Sequence, residues 1–156
     1  MLVKHIICTV APNNRRAFSE AQETWIQIRN TRGFIGQLGG WALTDGTAAH
    51  ILSFWKNEID LKNFMDHLHD TIFNNNRQVE TYDSITISHY IVTMKVPEID
   101  LLTRTIELAD TIIIHKPTAE LSSGTLDISY LEKSIVIEMN SHVAERISVV
   151  NSWRIF

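Results

Sequence analysis

The sequence has a single cysteine, no long apolar run and no excess of basic charge, and each shortage excludes a class of protein. Cys8 alone cannot close an internal disulfide, and in a strand-like setting a free cysteine behaves as a small buried hydrophobe. No stretch approaches the roughly 18 apolar residues that a membrane-crossing helix needs. The opening Met1-Leu2-Val3-Lys4-His5 places a lysine and a histidine where a signal peptide requires its apolar stretch, so cytoplasmic residence without a membrane partner is expected. Fourteen basic against eighteen acidic residues give a formal net charge of -4. With neither sign gathered into blocks, the electrostatic footprint for phosphate backbones is missing, and nucleic acid is not expected as a partner. G-x-S-x-G, C-x-x-C and H-E-x-x-H are all missing, which removes the serine-hydrolase, thioredoxin-like and zincin chemistries. The run Gly36-Gln37-Leu38-Gly39-Gly40 lacks the lysine and hydroxyl residue of a phosphate loop and leads into a tryptophan instead of a helix.

What remains is ordinary globular material: 156 residues, 44% apolar and 21% charged, enough for one domain or one domain with an appendage. LVKHIICTV at 2–10 is β-branched and apolar and ends in turn chemistry at Ala11-Pro12-Asn13-Asn14, which predicts a first strand. From Arg16 the spacing changes to threes and fours through Ala17, Ala21, Trp25 and Ile28, a first helix to about Asn30 with Asn13 or Asn14 as N-cap. GFIGQLGGWAL at 33–43 carries four glycines and reads as a bent or bulged second strand. Asp45-Gly46 turns it into AAHILSFW, the third strand. Asn57 caps a second helix whose Leu61, Phe64, Met65, Leu68 and Ile72 form one stripe, broken at Asn74-Asn75-Asn76. SITISHYIVTMKV at 84–96 is a fourth strand, closed by Pro97.

The order βαββαβ predicts an α+β, ferredoxin-like sheet in the order 4-1-3-2 with both helices on one face. Its other face is apolar and bare, so a homodimer is expected to cover it, the alternative being that strands after residue 97 cover it in a monomer with a pseudo-dimeric core. Residues 98–156 form a C-terminal mixed α/β extension: a helix from Ile99 to Asp110, strands at TIIIHK, SIVIEMN and ISVVNSWRIF, and a loop at TAELSSGT. Helix, strand, strand, strand also fits three quarters of a degenerate second ferredoxin-like unit.

Helix one running into GFIGQLGGW, followed by ILSFWKNEIDLKNFMDHLHD, resembles the antibiotic biosynthesis monooxygenase superfamily, and within it a YdbC-like group of bacterial proteins. The resemblance covers residues 1 to about 95 and implies a ferredoxin-like subunit of a dimeric α/β barrel, with a pocket between helices and sheet. Members use that pocket for cofactor-free oxidation of aromatic molecules or for haem. Haem-degrading members use an asparagine on the first strand, a tryptophan in helix two and a histidine ten residues later. Here strand one has no asparagine, Phe64 stands for the tryptophan and Asn74 for the histidine, so neither haem nor another cofactor is expected.

The expected ligand is a small, flat, apolar molecule, bound by Trp25, Trp41, Trp55 and Phe64. His69, at the edge of the helix-two stripe, is the candidate catalytic proton-transfer group, while His67 lies about 200° away on the helix. Strand parity gives a further metal-ligand candidate: His5, His50 and His89 each interrupt an apolar strand face, and strands four, one and three are neighbours, so three imidazoles can line one row if the strands turn the same face inward. The bland alternatives are core packing for the aromatics and hydrogen-bonded border positions for the histidines. Beside an enzyme, the same pattern suits a non-catalytic ligand-binding or structural dimer.

Overall fold

A computed structural model describes residues 1–92, 96–116, 123–125, 127–131, 133–138 and 143–156. Strands β1 (Leu2–Thr9), β2 (Phe34–Ala42), β3 (Ala48–Trp55) and β4 (Ser84–Ile91) lie in the order β4-β1-β3-β2, antiparallel throughout, as the ferredoxin-like reading expects. The glycine-rich β2 is irregular between Phe34 and Gly36. In the β2–β3 turn Asp45 Oδ1 accepts from both the amide and the hydroxyl of Thr47, so the aspartate side chain shapes the turn.

Helix α1 (Arg15–Glu23) continues as a 3₁₀ turn over Thr24–Asn30. Phe18 takes the buried position expected for Ala17, which is exposed, and Asn14 precedes the helix without a side-chain cap. Asn57 does cap α2 (Glu58–Phe64), accepting from the Asp60 amide at 2.9 Å. A π turn over Met65–His69 then leads into α3 (Asp70–Asn76). The helix outlasts the expected break at Asn74 and ends at Arg77, whose φ of 53° is left-handed.

The extension departs further from expectation. Helix α4 is Val96–Leu108, with Pro97 in its first turn, where a missing amide hydrogen costs nothing. Then follow β5 (Thr111–Lys116), β6 (Ser123–Thr125), β7 (Asp127–Leu131), β8 (Ser134–Glu138) and β9 (Val143–Val149). The fourth strand stops at Ile91, and residues 93–95 of its expected span lie outside the described residues. So do residues 118–122 of the expected loop, whose last three residues are β6, and residues 139–140 of the expected SIVIEMN strand. The expected strand at 147–156 starts earlier and gives way to a 3₁₀ turn at Asn151–Trp153, after which Ile155 pairs with Gln37. Strand β7 was not expected.

All nine strands form one sheet, β6-β4-β1-β3-β2-β9-β5-β8-β7. Strands β6 and β7 sit at opposite edges, yet one residue separates Thr125 from Asp127, a span of about 7 Å at most. The two edges therefore meet, and the sheet wraps around its own core. By chain order both quartets read alike, β4-β1-β3-β2 and β9-β5-β8-β7, but β5 and β8 are parallel where β1 and β3 are antiparallel.

Inside lie Val3, Leu38, Leu52, Phe54 and Tyr90 of the first quartet, packed with Leu102 and Ile106 of α4 and with Ile112, Ile114, Ile135, Ile137 and Ile147. Arg154 fastens α4 by donating to the carbonyls of Glu107 and Ala109. The face that the homodimer was expected to cover is thus already covered by the chain itself. At the seam, Gly40 pairs with Val149, and a Cβ there would lie 1.8 Å from the Ser148 carbonyl oxygen. Gly40→Ala is therefore expected to lower stability in urea unfolding by about 1–3 kcal/mol, the usual cost of overpacking. Gly46→Ala, which meets only the flexible end of Arg15, should stay within about 0.5 kcal/mol.

Candidate functional site

The other face of β4-β1-β3-β2 is covered by the helices, and register decides what it presents. Lys4 on β1 stands opposite His89 on β4 and Ser53 on β3, and Ser53 stands opposite Gln37 on β2. Directly paired residues point the same way, so His89, Lys4, Ser53 and Gln37 form a polar row across the sheet. Ile6, Cys8 and Ile51 lie beside it on the same face. Above this floor α2, the π turn and α3 bring Phe64, His69 and Phe73, while the first helical segment brings Gln22, Trp25 and Ile28. Between floor and roof is a cavity of about 80 Å³, lined also by Trp55, Gln78 and Tyr82. Ile85 and Ile87 of β4 line it and remain 43% and 42% exposed, which marks the open side.

The roof is held by aromatic contacts. Trp25 and Phe64 approach edge to face at 6.4 Å, the Trp55 and Phe64 rings lie tilted at 5.1 Å, and the His69 ring stacks on Phe73 at 5.6 Å. A buried amide chain ties the helical segments together: Trp25 Nε1 donates to Gln78 Oε1, and Gln78 Nε2 donates to Gln22 Oε1. His69 Nδ1 lies 2.9 Å from the exposed carboxylate of Asp70. With the proton on Nδ1, Nε2 is left as a proton acceptor on a side chain 19% exposed. The π turn widens the helix at His69, the residue that sequence spacing had put at the border of the apolar stripe.

Trp25, Trp55, Phe64 and His69 therefore meet in one pocket. Trp41 does not: it packs on Phe18 and Trp153, with the Arg15 guanidinium 4.2 Å above its ring. The histidine row is also broken. His5 Nε2 and His50 Nδ1 are 3.1 Å apart inside the barrel, and His50 Nε2 is 3.5 Å from Glu145 Oε2 on β9. His89, paired with Lys4, is on the opposite face. The apolar companions that suggested a buried face for it, Ile87 and Ile91, are themselves exposed. Among the described residues no group of three or more His, Cys, Asp and Glu side chains is arranged to hold a metal.

Lys4 was missed. Its residue is 6% exposed, burial lowers its ammonium from 10.5 to about 8, and its hydrogen-bond partner among the described residues is the Met65 thioether at 3.5 Å. Alternation could have found it, since Leu2, Lys4, Ile6 and Cys8 share a face on which lysine is the one charge. Cys8, by contrast, is kept as a neutral thiol, its ionisation pushed up to about 12 by burial.

Residues 2–90 match the family described as a domain of unknown function, DUF4937. The uncharacterised protein YdbC of Bacillus subtilis strain 168 is 38% identical over 92 residues, 58% of this chain and 77% of YdbC. A solved structure of a candidate antibiotic biosynthesis monooxygenase from Deinococcus radiodurans superposes with a TM-score of 0.52 at 12% identity, covering 62% of this chain and 96% of its own. A conserved protein from Methanosarcina mazei Go1 gives 0.51 at 19% identity, over 58% and 91%. At such identities the likeness is one of fold. The expected resemblance to the antibiotic biosynthesis monooxygenase fold is thus seen in the structure neighbours. The family match stops at residue 90, so α4 and the strands after it lie beyond it.

The buried lysine has a consequence for stability. Below about pH 8 Lys4 is protonated folded and unfolded, and burying its charge is costly. Between about 8 and 10.5 the folded chain has released the proton that the unfolded chain still binds, so this contribution to stability rises with pH. Lys4→Met should accordingly be more stable than wild type at pH 7 in denaturant unfolding, and the gap should narrow by about 1 kcal/mol by pH 9. Above pH 9 the neutral Cys8 works in the opposite direction in both proteins.

Proposed function

The chain belongs to the DUF4937 family, and we propose that its helix-side pocket binds a small flat apolar molecule and oxidises it with dioxygen, without a cofactor. The observation that carries this reading is the pocket itself, with Trp25, Trp55, Phe64 and Phe73 giving flat surfaces and His69 a proton acceptor at its edge. The description of the Deinococcus radiodurans neighbour as a candidate antibiotic biosynthesis monooxygenase supports the class of reaction. The volume limits the substrate. A dry cavity of about 150 Å³ takes a benzene ring, so the 80 Å³ here suits one ring whose outer edge stays in the mouth beside Ile85 and Ile87. A fused polycyclic molecule is too large for the closed pocket.

In the proposed reaction His69 Nε2 takes a proton from the bound molecule, and the resulting anion, its charge shared with ring carbon, is electron-rich enough to react with dioxygen. For a phenol the overall change balances as phenol plus O₂ giving quinone plus water, one oxygen atom entering the ring and the other leaving as water. Trp25 and Phe64 hold the ring flat during this step. Action as a monomer completes the reading: the barrel interior, the face a homodimer was expected to cover, is filled by residues of the same chain.

His69→Ala should leave the affinity for single-ring phenols within about threefold, as read by quenching of Trp25 and Trp55 fluorescence, and should lower substrate-dependent oxygen uptake at least about 100-fold. Binding without oxygen uptake by wild type would leave a non-catalytic binding protein in place of the enzyme.

A further inference from the structure

We propose that Lys4 is an anion anchor in the pocket floor, and that the natural ligand is a single-ring molecule bearing an acidic oxygen, carboxylate, phenolate or enolate, which pairs with the Lys4 ammonium. The inference rests on the pocket reading above and adds the chemical class of the ligand to it.

Three observations converge. First, Lys4 is 6% exposed and lines the cavity, yet among the described residues no carboxylate pairs with it, and the neighbour within hydrogen-bonding distance of Nζ is the weakly accepting sulfur of Met65. A buried cation without a counter-charge is costly and is ordinarily paired. Met65 leaves room for a better acceptor. Second, the floor is polar along one line and apolar on both sides: His89, Lys4, Ser53 and Gln37 run across the sheet, between Leu2 and Trp55 on one side and Ile6 and Ile51 on the other. Ser53 Oγ already accepts from Trp55 Nε1, and Gln37 Nε2 donates to the Trp153 carbonyl, whereas the acceptor that the described residues offer the Lys4 ammonium is the Met65 sulfur. Third, the walls are aromatic, which suits the ring, while the floor suits one oxygen. The lowered pKa of Lys4, caused by desolvation alone, fits a site whose balancing charge arrives with the ligand.

This arrangement also gives His69 and Lys4 complementary tasks. His69 sits in the roof and accepts the proton; Lys4 sits in the floor and holds the oxygen that becomes negative. An ammonium aimed at developing charge in a dry site is more effective than the same group in water.

The test uses the full chain at pH 7 with benzoate and its neutral counterpart benzamide, titrated against tryptophan fluorescence. Wild type is expected to prefer benzoate by about tenfold or more, the range of one charge-assisted hydrogen bond. Lys4→Met, of matched length, should lose that preference while binding benzamide as wild type does, its fold checked by urea unfolding. A second readout needs no variant: 4-nitrophenol bound to wild type should show the yellow absorbance of its anion at a pH where the free dye is largely neutral. Equal binding of benzoate and benzamide by wild type, a preference that survives Lys4→Met, or bound dye that stays colourless would each overturn the anchor and leave the apolar pocket standing. Binding of neither probe would overturn both.

Discussion

The structure depends on a sheet that is apolar on two faces and therefore has to be covered twice. Strands β1 to β4 put Val3, Leu38, Leu52 and Phe54 on one side and Leu2, Ile6, Ile51 and Trp55 on the other. Burying side chains of this size contributes about 1.5–3 kcal/mol each, so neither face can be left to water in a stable protein. The helices cover one side but stand off from it at the Lys4 row, and the gap is the pocket. On the other side the covering is done by α4 and by the strands that follow, which continue the sheet from β2 through β9 and return to the edge at β4. One chain thereby wraps the sheet around its own core. Its interior carries a polar trio, His5, His50 and Glu145, that spans the two halves.

Much of the first half was legible because local signals and global demand agree there. The hydrophobic period, the Asn57 cap, the Asp45 turn and the glycine-rich β2 each give the element that the structure has, and four antiparallel strands linked in this order leave few possible arrangements. For His89 the difficulty is that pattern reports which residues share a face but not which face is inside. His89 alternates with Ile87 and Ile91, and those isoleucines made its face look buried, yet both remain exposed, Ile87 at the pocket mouth. Trp41 was grouped with the pocket for its size alone; through Ala49 and Cys8 it shares the pocket's face, but it lies further along the strands, against Phe18 and Trp153. In the extension, strands as short as β6 and β7 carry too few residues for any period to show, and their partners are far away in sequence.

The chemistry of the site comes from the contrast between its roof and its floor. Aromatic rings and a half-buried imidazole face a strand carrying a lysine that no acid among the described residues neutralises. Such a lysine lowers stability, and a site that keeps one has a use for positive charge that core packing would not supply. The helical roof is stitched by Gln22, Gln78 and Trp25 away from the lysine, so the walls stay formed while the floor remains free to pair with a ligand.

The most direct test of the central claim, that one chain covers both faces of its own sheet, is a methyl nuclear Overhauser experiment on a mixture of isotope-labelled and unlabelled protein. Contacts between the methyls of Leu38 or Leu52 and those of Ile112, Ile114 or Ile147 are expected in the uniformly labelled protein and not in the isotope-filtered spectrum that reports contacts between chains. The same contacts appearing between chains, or missing altogether, would contradict the claim.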